Sequence, residues 1–113
     1  MMSSNADMPA QGTVWLAKVY FKNEGIFKNR PVVIVGNELT IDIDVLISPV
    51  TSSEKRNEFD IVIEYWKDAG LLNPSVARTS KLASIPKLAM IKKLGSLHQH
   101  DLERVINQCK KLF

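Results

Sequence analysis

The chain has 113 residues, 45% of them hydrophobic and 24% charged, which suits one compact domain and is too little for two. Cys109 is the only cysteine. Counting therefore excludes an internal disulfide and a cysteine zinc site, in keeping with a reducing, cytoplasmic setting. The net charge of +3 hides an asymmetry: residues 1–69 carry seven Lys/Arg against ten Asp/Glu, and residues 70–113 carry eight against two. A basic half fits a polyanionic partner, although solvation of a surface accounts for the same lysines.

Taken in chain order, residues 1–11 are small and polar, lack the apolar core of a secretion signal, and read as a disordered leader ahead of a single domain at 12–113. No apolar run approaches the length of a membrane span. Gly12 to Phe21 is rich in β-branched and aromatic residues and reads as a strand, ended by the turn signal Asn23-Glu-Gly25. Pro31 to Val35 has the continuous apolar pattern of a strand buried on both faces. Asp44 to Val50 is a third strand, and Pro49 places it near an edge or a bulge. Phe59 to Glu64 is strand-like, Trp66 to Gly70 is a helical turn or loop, and Ser75 to Leu82 is a further extended stretch. Leu88, Ile91 and Leu94 fit either a helix or a final strand. Leu102, Val105, Ile106, Cys109 and Leu112 follow the spacing of an amphipathic helix. Short strands closed by one helix predict a mainly β (α+β) domain, a small, strongly bent antiparallel sheet or barrel with a C-terminal amphipathic helix.

The chemistry the chain lacks is equally informative. There is no glycine-rich phosphate loop, so nucleotide-driven chemistry is not expected. His98 and His100, the only histidines, stand at the start of the terminal helix with no cysteine beside them, and read as polar surface residues. No metal site, no cofactor and no histidine-based triad is expected. By residue type alone, Arg30 is a cation at the start of a strand and Thr51 a turn residue that bonds its own backbone.

The order of segments says more than any one of them. Gly12-Thr-Val-Trp-Leu-Ala is followed by Lys28-Asn-Arg-Pro-Val-Val-Ile-Val-Gly-Asn37 and Val45-Leu-Ile-Ser-Pro-Val-Thr-Ser52. Then come Pro74-Ser-Val-Ala-Arg-Thr-Ser-Lys-Leu-Ala-Ser-Ile85 and Lys93-Leu-Gly-Ser-Leu97. This succession resembles the MazF/PemK toxins of bacterial toxin–antitoxin pairs, from about Gly12 to Leu112. The resemblance implies a compact SH3-like β-barrel, a homodimer, and metal-independent cleavage of single-stranded RNA that a cognate antitoxin blocks. It assigns the family's catalytic arginine to Arg30 and its threonine to Thr51, and suggests RNA contacts for Phe27, Lys28, Asn29, Ser52, Arg78 and Lys81. Trp15 and Trp66 are further aromatic residues able to stack on bases, with a core role favoured for Trp15. The chain departs from the family at Phe21 to Asn29, where a Gly-Ser-Glu-Gln element is replaced, and at Ser80 and Lys81, which stand where glutamate and glutamine are common. RNA sequence preference is therefore not carried over. The competing expectation is a non-catalytic module that binds nucleic acid or protein on the same barrel; a DNA-binding regulator fits less well, because no helix-turn-helix pattern is present.

Overall fold

The apolar run at residues 31–35 organises the molecule. In the computed structural model, which describes residues 8–113, it forms the buried end of the second strand, with Val32, Val33 and Ile34 fully enclosed. The elements are β1 (Thr13–Phe21), β2 (Ile26–Ile34), β3 (Asp44–Thr51), β4 (Asp60–Ile63), β5 (Ser75–Arg78), β6 (Ala83–Pro86), β7 (Met90–Ser96) and α1 (Gln99–Lys110), with 3-10 turns at Thr79–Lys81 and Lys87–Ala89. The strands follow the order β4-β5-β3-β2-β1-β7, with β6 also paired to β3, and every pairing is antiparallel. The mainly β architecture with one C-terminal helix is as the sequence predicts. No helix among the described residues is long and apolar enough to cross a membrane. The expected leader lies outside the described residues as far as Asp7. Beyond it, Pro9 is buried and Gln11 Nε2 donates to the Val35 carbonyl at 3.0 Å.

Three local expectations are revised. β2 begins at Ile26, not at Pro31, because β1 and β2 form one long hairpin pairing residue for residue from Phe21–Ile26 to Val14–Val33. Its turn is tight: Gly25 takes a φ of +66°, a conformation glycine enters without strain, and the Glu24 and Gly25 amides both donate to the Phe21 carbonyl. Pro49 is not at an edge, since β3 has neighbours on both sides. It falls instead at a break in one ladder: β6 covers Asp44–Ile47 and β5 covers Val50 and Thr51, so no strand bond is lost to its missing N–H. The stretch from Ser75 to Leu82 is extended only to Arg78, because Thr79 turns the chain by donating through both its amide and its hydroxyl to the Phe59 carbonyl.

Strand alternation splits the apolar side chains between two faces of the central sheet. Trp15, Ala17, Val32, Ile34, Val45 and Ile47 pack on one face. Val14, Val33, Val35 and Val50 pack on the other with Ile61, Ile63, Leu71, Leu97 and the helix residues Val105 and Cys109. Full burial of such side chains contributes about 1.5–3 kcal/mol each. The helix faces the core through Leu102, Val105, Ile106 and Cys109, whereas Leu112 lies beyond its end and is exposed. Burial raises the Cys109 thiol to about 11. The folded protein should therefore resist a thiol reagent such as Ellman's at neutral pH and react on addition of denaturant; immediate reaction would contradict this packing.

The barrel is not closed by hydrogen bonds. β4 and β7, at the ends of the sheet, do not pair, and the turn that follows β4 fills the seam between them. Its backbone lies directly on β7: a Cβ placed on Gly70 would fall 2.0 Å from the Leu94 carbonyl oxygen, and one on Gly95 would fall 2.6 Å from the Ala69 carbonyl. Gly70 also has a φ of +81°. Gly70→Ala should thus lower stability by about 3 kcal/mol through backbone strain and overpacking together, read as a fall in the urea midpoint. An unchanged midpoint would mean that the seam is looser than this contact requires.

Candidate functional site

The β2–β3 ladder ends at Val32–Pro49. The pairing stops two residues short of Arg30 and Thr51, which the same register, if continued, would set opposite each other. Just there the surface opens into a groove of about 720 Å³. Arg30, Pro31, Val50, Thr51, Ser52 and Ser53 line it on the β2–β3 side, and Gly70 to Asn73, Ser75, Lys92 and Leu94 on the other, with Leu16 between them. Its polar groups are a guanidinium, an ammonium, hydroxyls and an amide. Among the described residues that line it there is no carboxylate, imidazole or thiol.

Arg30 is exposed and, among the described residues, has no carboxylate partner. Its Nη1 donates to the Asn29 carbonyl at 3.1 Å, and its guanidinium carbon lies 5.6 Å from the centre of the Phe21 ring. Neither contact neutralises the charge, so the fork of donors remains available to an anion. Thr51 Oγ1 accepts from the Ser53 amide and lies 3.2 Å from Ser53 Oγ. The turn after β3 thus fixes the hydroxyl in place. The turn role and a role toward a ligand are compatible in one residue, since rotation of the O–H lets Thr51 exchange Ser53 Oγ for a ligand oxygen while still accepting the Ser53 amide.

The other residues singled out in the sequence divide. Ser52 joins Arg30 and Thr51 in the groove. Phe27, Lys28 and Asn29 lie in β2, not in a loop, opposite Tyr20, Val19 and Lys18. Lys28 forms an ion pair with Glu24 at 2.7 Å and lies over the Phe21 ring at 4.9 Å. Arg78 does not reach the groove: its Nη1 is bound to the carboxylate of Asp60, which is buried and also accepts from the Arg56 amide at 2.8 Å. Lys81 is exposed in the 3-10 turn after β5, away from the groove. Trp15 is buried, with its indole N–H donating to Thr13 Oγ1, and Trp66 packs against the core.

Sequence reasoning passed over Lys92, which the fold brings to the groove because it opposes Leu16 across the β1–β7 ladder. Its basic neighbourhood was visible in the sequence; the strand face it occupies was not. Ser53, Asn73 and Ser75 were missed likewise.

A second polar cluster joins the turn after β4 to the start of the helix. Asp101, fully buried, accepts from the Glu64 and Tyr65 amides at 3.1 and 2.9 Å and from Arg104 at 3.2 Å. His100 Nε2 is 2.9 Å from Glu64 Oε2, and Arg104 is 3.2 Å from the same oxygen. The hydrogen bond from His100 lowers the Glu64 carboxyl from its usual range, helped by the charges of His100 and Arg104. His98 caps the helix by accepting the His100 amide and stacks on Tyr65 at 4.0 Å. Although Glu64, His100 and Asp101 are close enough to share a cation, Asp101 is committed to two amides and Arg104 occupies the space between the carboxylates. The cluster fastens the helix to the sheet.

In comparisons with known proteins, the family described as PemK-like, MazF-like toxin of type II toxin–antitoxin system matches residues 10–113. No curated protein sequence gives a significant match. Among solved structures, the Mycobacterium tuberculosis toxin MazF-mt6 aligns over 88% of this chain and 93% of its own, with a TM-score of 0.72 at 19% identity. An endoribonuclease in complex with its cognate antitoxin, from a mycobacterial species, gives 0.74 at 14% identity over 92% and 93%. MazE-MazF from Deinococcus radiodurans gives 0.68 at 19% identity over 94% of each chain. At these identities the likeness to solved structures is one of fold.

Proposed function

The chain belongs to the PemK-like, MazF-like toxin family of type II toxin–antitoxin systems, and from that membership we propose that its groove is the active site of a metal-independent endoribonuclease acting on single-stranded RNA in the cytoplasm. The observation that carries this reading is a groove lined by both Arg30 and Thr51, with no acidic side chain among the described residues that line it. The cations Arg30 and Lys92 attract phosphate there.

The reaction suited to these groups is attack of a ribose 2′-oxygen on the adjacent phosphorus. The new P–O2′ bond forms as the P–O5′ bond breaks, and the proton lost from the 2′-OH ends on the 5′-oxygen. The products are a 2′,3′-cyclic phosphate and a 5′-OH. Arg30 supplies permanent charge and forked donors for the non-bridging oxygens as negative charge builds on them. Its high pKa makes it a poor proton donor, so its role is electrostatic. The Thr51 hydroxyl, held by Ser53, donates to a phosphoryl oxygen or aligns the 2′-OH. Ser52 offers a further hydroxyl, and Lys92 holds a flanking phosphate.

Incubation of a long single-stranded RNA with the protein in EDTA, followed by end mapping, tests the reading. Cyclic-phosphate and 5′-OH ends are expected; uncut RNA, or 5′-phosphate ends, would overturn it, and uncut but bound RNA would indicate a binding module. Lys92→Ala should also reduce the salt dependence of RNA binding by about 0.7 in slope, the share of one phosphate contact on a single strand. An unchanged slope would remove Lys92 from the site. A homodimer and an antitoxin partner complete the proposal. An acidic segment that orders along the groove would compete with RNA for the same cations. Titration calorimetry with the product of the adjacent gene should register binding.

A further inference from the structure

Much of the groove wall across from Arg30 and Thr51 is loop, not strand. β4 and β5 pair as far as Ile63 and Ser75, which lie opposite each other, so residues 64–74 connect two paired ends. Within this loop, Gly70 to Asn73 line the groove. Ala69 and Leu71 are buried and Trp66 packs against the same core, which holds the loop down. Apolar packing is non-directional, however, and does not fix how the loop is turned. Directional bonds do that, and they start from the helix. The fully buried Asp101 carboxylate accepts the Glu64 and Tyr65 amides at 3.1 and 2.9 Å. From there the bonds run forward: the Tyr65 carbonyl accepts the Ala69 amide at 3.2 Å, and the Trp66 carbonyl accepts the Leu71 amide at 3.1 Å. Asp101 is itself steadied by Arg104, which also donates to the Val62 carbonyl at 2.8 Å. The His98 ring, stacked on Tyr65, is a second hold on that residue.

We propose that Asp101 is a positioning residue for RNA cleavage, acting through the Glu64 and Tyr65 amides to set the wall from Gly70 to Asn73. The proposal rests on the nuclease reading of the groove. Asp101 does not line the groove and is enclosed where the helix meets the sheet, so it acts through the loop and not on the substrate. Its influence falls on alignment more than on affinity. Arg30 and Lys92, the groove's cations, stand on β2 and β7, outside the loop, so phosphate is still attracted when the loop turns. What is lost is the fit that holds the substrate in line for attack, where a shift of about 1 Å can cost about 10²-fold. Asp101→Asn keeps the shape of the side chain, but its –NH2 would face one of the two amides, and Arg104 loses the charge it pairs with there.

The test compares Asp101→Asn with Val105→Ala, which opens a cavity under the same helix and leaves the carboxylate alone. Both are assayed as full chains well below their unfolding midpoints, on a defined oligonucleotide. Asp101→Asn should lower kcat about 10- to 100-fold with KM within about threefold, and Val105→Ala should change kcat less than about twofold. Hydrogen exchange is compared with urea added to the more stable variant until global stability is equal. The Leu71 amide should then exchange about 10- to 100-fold faster in Asp101→Asn than in Val105→Ala, the consequence of losing a hydrogen bond to a charged group. If Asp101→Asn does not fold, His98→Ala, which removes the ring stacked on Tyr65, should move both readouts the same way by less. Parent kcat in Asp101→Asn, or in His98→Ala where only that variant folds, would overturn the role. So would recovery of activity on adding sucrose, which favours the compact state and would make the loss one of folded fraction. A parent protein that cuts no RNA sinks the nuclease reading, and faster exchange at Leu71 would still leave the wall under the control of Asp101. A cleaving parent with an equally active Asp101→Asn sinks this proposal alone.

Discussion

Arg30→Ala should cut RNA about 10²- to 10³-fold more slowly than the parent protein while unfolding at the same denaturant concentration. The first figure is the usual consequence of removing one preorganised donor from a developing oxyanion. The second follows from the environment: Arg30 is exposed, has no acidic partner among the described residues, and bonds only a neighbouring carbonyl, so its loss should leave stability within about 0.5 kcal/mol. Arg30→Lys keeps a charge without the fork and should fall between the two. Thr51→Ala should lose roughly 10²-fold by misaligning the attack, and Thr51→Ser, which keeps the hydroxyl, should recover most of it. Measuring kcat and KM separately on a defined oligonucleotide distinguishes the roles, since a group acting only in the transition state lowers kcat and leaves KM unchanged. Full activity in both alanine variants would sink the site assignment.

The second large effect concerns a residue that the resemblance offered for RNA contact. Arg78→Ala should destabilise the fold by about 3–5 kcal/mol, because it leaves the Asp60 carboxylate buried without its counter-charge. Asp60 also accepts the Arg56 amide, so the loop between β3 and β4 should loosen with it. Replacing both partners, as Asp60→Leu with Arg78→Met, removes the stranded charge and should cost less than Arg78→Ala alone. RNA binding measured below the unfolding transition should keep its full salt slope in Arg78→Ala, in contrast to Lys92→Ala. A stable Arg78→Ala with a reduced slope would return Arg78 to the RNA surface.

These residues show what one sequence can and cannot yield. Arg30 and Thr51 could be placed at strand ends, but only the pairing of β2 with β3 brings them to one groove, and register is a property of two segments far apart in sequence. Arg78 reads as a free cation until β5 is paired with β4, which brings Asp60 directly across from it. The ambiguity of residues 88–94 has a definite cause. β7 shifts register against β1 twice, leaving Leu94 and Ile91 without a partner, and the strand acquires the three-residue spacing of a helix. β6 escaped notice because nothing between Ser75 and Ile85 breaks an extended pattern; the break comes from Thr79 binding a carbonyl that the sequence cannot place. Long periodic segments such as the terminal helix, and the enclosed Val32–Ile34 run, were readable because their side-chain pattern alone determines them.

The seam between β4 and β7 matters beyond stability. The backbone at Gly70 and Leu94, which face each other across it, also lines the groove, so the spacing of that wall is set by how closely two glycines let the chains approach. A hydrogen-bonded ladder would have fixed this spacing at one strand repeat. Here it behaves as a gauge whose setting depends on side-chain size. A methyl group added at residue 70 or 95 has no room at this contact, so accommodating it should shift the wall to which Leu71 to Asn73 belong.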